Sequence, residues 1–150
     1  MPFRYRLQKF LEIRIKKKEE QLQEVVKAQK EVDRILVLIE KNKQKIAQTI
    51  KDMRKADPMM YEAFDVYLKS LYETDEKLQE ELKSAIEKLN HEKELLIERE
   101  KEVNVLEKHK EHKNEEYKYE ERAAELKMLN EIGSQKHFLR SVEEKEENGD

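Results

Sequence analysis

A heptad repeat runs along almost the whole chain and breaks once, at Ala56-Asp57-Pro58. One interruption in a 3.5-residue pattern leaves room for long helices and a single fold-back, and for little else. In the first stretch the ladder is Gln8, Leu11, Ile15, Lys18, Leu22, Val25, Gln29, Val32, Leu36, Ile39, Lys43, Ile46, Ile50 and Met53. Its steps alternate three and four. Ten of the fourteen rungs are apolar, which makes a narrow seam and not the wider stripe of a helix buried in a globular core. The residues between rungs are mostly Lys, Glu, Gln and Arg, all good helix formers. Gln29 and Lys43 interrupt the seam. They read either as register-fixing polar rungs or as looser turns near solvent.

Pro58 disfavours a helical backbone at Asp57, so the first helix should end near Lys55. Asp57 can cap the next helix, with Pro58 at its first position. About three connecting residues favour an antiparallel neighbour. The alternative is a kinked single helix that dimerises along its length. The seam resumes as Phe64, Leu68, Leu71, Asp75, Leu78, Leu82, Ala85, Leu89, Glu92, Leu96, Arg99, Val103 and Leu106. The same frame then gives Lys110, Lys113, Tyr117, Glu120, Ala124, Lys127 and Glu131, of which only two are apolar, so the seam stops at Leu106. A first helix of about 50 residues is roughly 75 Å long. Folding back at Asp57 exhausts its partner surface near residue 108, where the seam stops. The expected fold is therefore all-α: a long two-helix antiparallel coiled-coil hairpin with an overhanging C-terminal helix. The expected bounds are helix 3–55, turn 56–58, helix 58–133, a short segment 134–140 after a stop or kink at Gly133-Ser134, and an acidic disordered tail, 141–150.

Composition agrees. Charged residues make up 45%, and two Gly and two Pro are too few for the turns of a layered fold. The net charge of -3 gives no overall footprint for nucleic acid. It conceals an asymmetry: residues 3–18 carry seven basic groups and one acidic, and residues 141–150 carry five acidic and one basic. There is no Cys, which excludes disulfides, thiolate catalysis and Cys-based zinc sites. No run approaches the roughly 20 apolar residues that span a bilayer, and no apolar signal region opens the chain, so a cytoplasmic location is expected. His109 and His112 share a helix face but sit among lysines, a poor metal site. With no phosphate loop and no HExxH, neither enzyme activity nor a cofactor is expected. Interface-type side chains gather at two places instead. Met59, Met60, Tyr61, Val66, Tyr67 and Tyr72 follow the turn, and Leu126, Met128, Leu129 and Ile132 lie in the overhang.

The opening Phe3-Arg4-Tyr5-Arg6-Leu7-Gln8-Lys9-Phe10-Leu11-Glu12-Ile13-Arg14 resembles the N-terminus of the flagellar export protein FliJ family, which often begins with a phrase like FRLQKVLxxR. Leu106-Glu107-Lys108-His109-Lys110, then Glu115-Glu116-Tyr117 and Glu120-Glu121, resembles the family's C-terminal half. Glu125-Leu126-Lys127-Met128-Leu129-Asn130-Glu131-Ile132 is similar to its closing stretch. The similarity spans residues 3–138. It implies a soluble component of the flagellar type III protein export apparatus, an antiparallel coiled coil acting as a central stalk. Such a stalk enters the export ATPase hexamer by its terminal end. It couples that ring to the cytoplasmic domain of the membrane export gate, at the inner face of the cell membrane, and handles export chaperones. On that resemblance the ATPase-ring contacts are Phe3, Arg4, Arg6, Leu7, Gln8, Lys9, Arg14, Tyr117, Leu126, Leu129 and Ile132. The gate contacts are Leu38, Phe64, Tyr67 and Leu71, although Lys41 and Lys45 stand where some relatives carry aromatics. No nucleic acid and no small-molecule substrate is expected. The hairpin satisfies its own seam, so a monomer is expected in isolation. The rival readings are an export chaperone or escort, and a generic coiled-coil scaffold. A coiled coil that binds nucleic acid through its basic end is a third, with few of the stacking aromatics it would need.

Overall fold

The computed structural model describes residues 2–149. It is an antiparallel helical hairpin of two helices, α1 (Gln8–Lys55) and α2 (Tyr61–Glu147), joined by a bend and a single 3-10 turn (Pro58–Met60). Asp57 is extended and caps the 3-10 turn, its carboxylate accepting from the Met59 amide at 3.2 Å. Pro58 takes the first position, where its missing N–H costs nothing. The Met60 amide bonds back to the Asp57 carbonyl at 2.8 Å. The connection forms as expected, except that α-helical geometry begins three residues later, at Tyr61.

The chain divides into two compact units. One is Glu12–Val103, which holds the turn and most of the seam. The other combines the ends of the chain, up to Leu11 and from Asn104.

In the Glu12–Val103 unit the α2 rungs are those expected, with Leu71, Leu89 and Val103 buried. The α1 rungs need correction. Val25, Val32, Ile39, Ile46 and Met53 face inward, but each alternate rung from Leu22 to Ile50 is one residue earlier than the ladder placed it. Ala28, Ile35, Asn42 and Thr49 are buried, whereas Gln29 and Lys43 are exposed and Leu22 and Leu36 are about half exposed. The interruptions assigned to Gln29 and Lys43 therefore belong to solvent-facing positions. Ala28, Val32 and Leu89 form the central cluster, flanked by Val25, Leu82 and Ala85.

This register has a polar logic. Asn42 Nδ2 donates to the Leu71 carbonyl at 2.9 Å, Gln21 Nε2 to the Glu92 carbonyl at 3.0 Å, and Arg14 Nη1 to the Glu102 carbonyl at 3.4 Å. Each is an α1 side chain reaching the second lone pair of a helical carbonyl on α2. All three pairs are centred on Ala56–Pro58, so they agree on one fold-back point. The ion pairs Glu24–Lys27, Glu31–Arg34 and Arg99–Glu102 each lie within one helix and carry little cross-helix information. Thr49 satisfies its buried hydroxyl on its own helix, at the Lys45 carbonyl. Asp75 puts a carboxylate at a seam rung, with one buried oxygen that finds no hydrogen-bond partner.

Asn42 buys register at some cost in stability. Asn42→Val exchanges one hydrogen bond, worth about 1 kcal/mol net, for apolar burial worth about 2 kcal/mol. The expected result is a Tm raised by about 3 °C in a thermal melt. A lowered Tm would show that the amide contributes more than its register.

The ends also differ from expectation. Residues 3–7 are not part of α1. They form a non-helical strap, and the helix starts where the Gln8 amide bonds to the Tyr5 carbonyl and the Leu11 amide to the Leu7 carbonyl. Gly133 neither stops nor kinks α2. A glycine stop works through a left-handed backbone at the glycine, and Gly133 has no positive φ. One Gly costs about 1 kcal/mol in a helix, too little to end one flanked by good formers. The acidic tail expected to be disordered is helical to Glu147, with Ser141 Oγ donating to the His137 carbonyl. The end of the chain at Asp150 lies outside the described residues.

Candidate interaction surfaces

The strap is held by aromatic side chains. Tyr5 is buried, and its hydroxyl lies 2.6 Å from His109 Nδ1 and 3.5 Å from the Leu106 carbonyl. With Nδ1 unprotonated the hydroxyl donates to it. Phe3 packs on Tyr117, with ring centroids 5.6 Å apart. Between the strap and α2 lies an open cleft of about 710 Å³, walled by Phe3, Tyr5, Leu7, Phe10 and Tyr117. Arg4 and Arg6 line it too and are exposed. On the opposite wall Glu116 pairs with Lys113 at 3.3 Å and with His112 at 3.0 Å. The hydrogen bond from Lys113, then its charge, hold Glu116 below the usual carboxylate range, with His112 adding less.

The expected ring-contact residues thus fall into three groups. Phe3, Leu7, Gln8 and Tyr117 are half-buried, and Phe3 and Tyr117 are in mutual contact within the end unit. Arg4, Arg6 and Lys9 are exposed, as are Leu126, Leu129 and Ile132 on α2. Arg14 belongs to the other unit, half-buried and bonded to the Glu102 carbonyl. Of the expected gate contacts only Tyr67 is exposed. Leu38 and Phe64 are half-buried, and Leu71 is a core residue whose carbonyl accepts from Asn42. Leu71 reaches a partner only if the hairpin opens.

Sequence reasoning weighed His109 only as a poor metal ligand, did not pair it with Tyr5, and missed Asn42. A buried tyrosine needs a polar partner, and His109 is the one that a fold-back near residue 57 brings opposite Tyr5. That signal was present in the sequence and becomes readable once the register is known.

Among the described residues no group of His, Asp or Glu is placed to hold a metal ion, and no helix is long and apolar enough to cross a membrane. No family model, curated protein or solved structure matches this chain.

Proposed function

We propose that this chain is a stalk component of a flagellar type III export apparatus, working by association and not by catalysis. The observation that carries the reading is the end unit. There α2 runs on as an exposed helix bearing Leu126, Leu129 and Ile132, beside a strap that displays Arg4 and Arg6. An apolar helical end with cations at its base suits insertion into a ring with an acidic, apolar bore. The resemblance of residues 3–14 and 125–132 to FliJ names that ring as the export ATPase hexamer. An asymmetric two-helix stalk in a six-fold ring contacts its subunits unequally and so biases their hydrolysis. In this reading a face toward the middle of the rod, with Tyr67 exposed on it, meets the cytoplasmic domain of the export gate at the inner membrane surface, and export chaperones are further partners. The exposed apolar stripe on α2 also favours a second reading, an escort that holds export cargo.

The test is steady-state ATP hydrolysis by the purified flagellar export ATPase titrated with this chain. Saturable stimulation near one chain per hexamer is expected. Arg4→Glu, Arg6→Glu and Lys9→Glu together should cut the stimulation about tenfold or more, with helicity by circular dichroism unchanged, since those side chains hold no seam contact. Full stimulation by the folded triple variant removes the basic strap from the mechanism. No stimulation by the parent chain, with ATP hydrolysis by the ring confirmed, leaves the escort reading, which predicts cargo binding without any ring.

A further inference from the structure

The face of α2 that buries Leu106 and half-buries Lys110 does not lose its pattern beyond them; it shifts by one residue. Tyr117, Ala124, Met128, Ile132, Leu139 and Val142 lie on one stripe, with Glu121 and Gln135 as its only polar rungs. The steps are three and four throughout, with one pair of consecutive fours between Ala124 and Ile132. From residue 118 to residue 140 every side chain is exposed. A lone helix showing Met128, Ile132 and Leu139 to water gains nothing from packing, and helices in water depend on packing for most of their stability.

We propose that this stripe pairs with the same stripe of a second copy of the chain, as an antiparallel two-stranded coil centred between Met128 and Ile132. The spacing carries the argument. Read backwards, the rungs superpose on themselves to within half a residue, as a two-fold axis requires. Met128 then meets Ile132 of the second copy, and Tyr117 meets Val142, each contact occurring twice. The mixed layers set Leu139 over the stem of Glu121 and Gln135 against Ala124. The charges beside the seam agree with this register. Glu125 falls opposite Lys136 of the second copy, Glu131 opposite Lys127, and Glu143 opposite Lys118; beyond the last rungs Lys113 and Lys145 oppose as like charges. A parallel pair would stack Glu121 on Glu121 and Gln135 on Gln135 within the seam. An anionic lipid surface or a nucleic acid would meet Glu121, Glu125, Glu131 and Glu143 along the same face. The hairpin seam needs no second chain, so this association rests on the overhang alone; it covers Ile132, which the ring reading also uses, so a paired chain must separate before its overhang enters a ring.

Sedimentation equilibrium of the full chain, without any ATPase, tests it. The mass should rise with concentration from 18.2 kDa to twice that value. Ile132→Asp should hold it at the monomer mass without loss of hairpin helicity. Glu125→Lys should weaken the dimer about tenfold by turning two attractions into repulsions, and Lys136→Glu in the same chain should restore it. The chain has no native cysteine to confuse crosslinking. Chains carrying Met128→Cys should therefore form a disulfide dimer when mixed with chains carrying Ile132→Cys, and neither should do so alone. A monomer at all concentrations, a dimer indifferent to Ile132→Asp, or crosslinking of each cysteine variant with itself would overturn the proposal.

Discussion

Ile35→Ala should lower the unfolding free energy by about 2–4 kcal/mol, and Leu36→Ala by less than about 1 kcal/mol. The two residues are neighbours and chemically alike, and a ladder chosen for apolar content ranks them the other way. Their environments differ sharply: Ile35 is 2% exposed and Leu36 is 47% exposed. Truncating Ile35 leaves a void in the seam between α1 and α2, where a single layer of rungs has few neighbours to fill it. Truncating Leu36 removes atoms that already touch water. Urea unfolding of the full chain, followed by helicity, measures both. Equal losses, or a larger loss at Leu36, would restore the alternative frame and with it Gln29 and Lys43 as seam interruptions. The size of the Ile35 effect follows from the architecture. A two-helix seam has one layer, so each rung carries a larger share of total stability than a residue in a thick core.

That half-right ladder shows what the sequence makes legible. On α2 the apolar residues fall on one row with few competitors beside them, and all thirteen rungs from Phe64 to Leu106 face inward. On α1 each alternate rung offers two candidates: Leu22 beside Gln21, Leu36 beside Ile35, Ile50 beside Thr49. Counting apolar residues favours Leu22 over Gln21 and Ile50 over Thr49 and cannot choose between Leu36 and Ile35, but the fold uses Gln21, Ile35 and Thr49. Gln21 and Thr49 satisfy their polar atoms on helical carbonyls, a solution that hydropathy does not see. The turn was legible because Asp57-Pro58 encodes its own geometry. The strap was not, because residues 3–7 look helical locally, and the contacts that hold them off the helix, Tyr5 against His109 and Phe3 against Tyr117, are distant in sequence. Gly133 misled for the opposite reason: a stop signal is weak without the left-handed backbone that makes it one. The surfaces were partly legible. The exposed apolar residues of the overhang stood out by type, whereas the burial of Leu71 depends on a register that spacing alone left ambiguous.

Tyr5→Ala should release the strap while leaving the hairpin folded. The lost ring is buried, and truncating a buried aromatic costs about 3–5 kcal/mol. A five-residue strap outside any helix has no comparable reserve. Phe3 on Tyr117 is its other anchor, and tilted ring pairs contribute only about 1 kcal/mol beyond their area. Detachment is therefore local. Amides at Gln8 and Leu11, whose acceptors are the Tyr5 and Leu7 carbonyls, should exchange more than tenfold faster, while amides around Val32 and Leu89 keep their rates. Tyr5→Phe separates the ring from its hydroxyl. It keeps the apolar burial and loses the one hydrogen bond the hydroxyl donates, a loss of about 1 kcal/mol, so its exchange should fall between the two. Hydrogen exchange resolved by residue distinguishes these outcomes. If Tyr5→Ala leaves Gln8 protected, Phe3 and Leu7 hold the strap and Tyr5 merely fills space. If Val32 and Leu89 also lose protection, the strap is part of the hairpin's cooperative unit. The expected pattern confines the loss to the end unit, and it gives a direct handle on the proposed stalk. A released strap would still carry Arg4 and Arg6 but no longer hold them beside α2, so weaker ATPase stimulation by Tyr5→Ala would show that their placement matters as well as their charge.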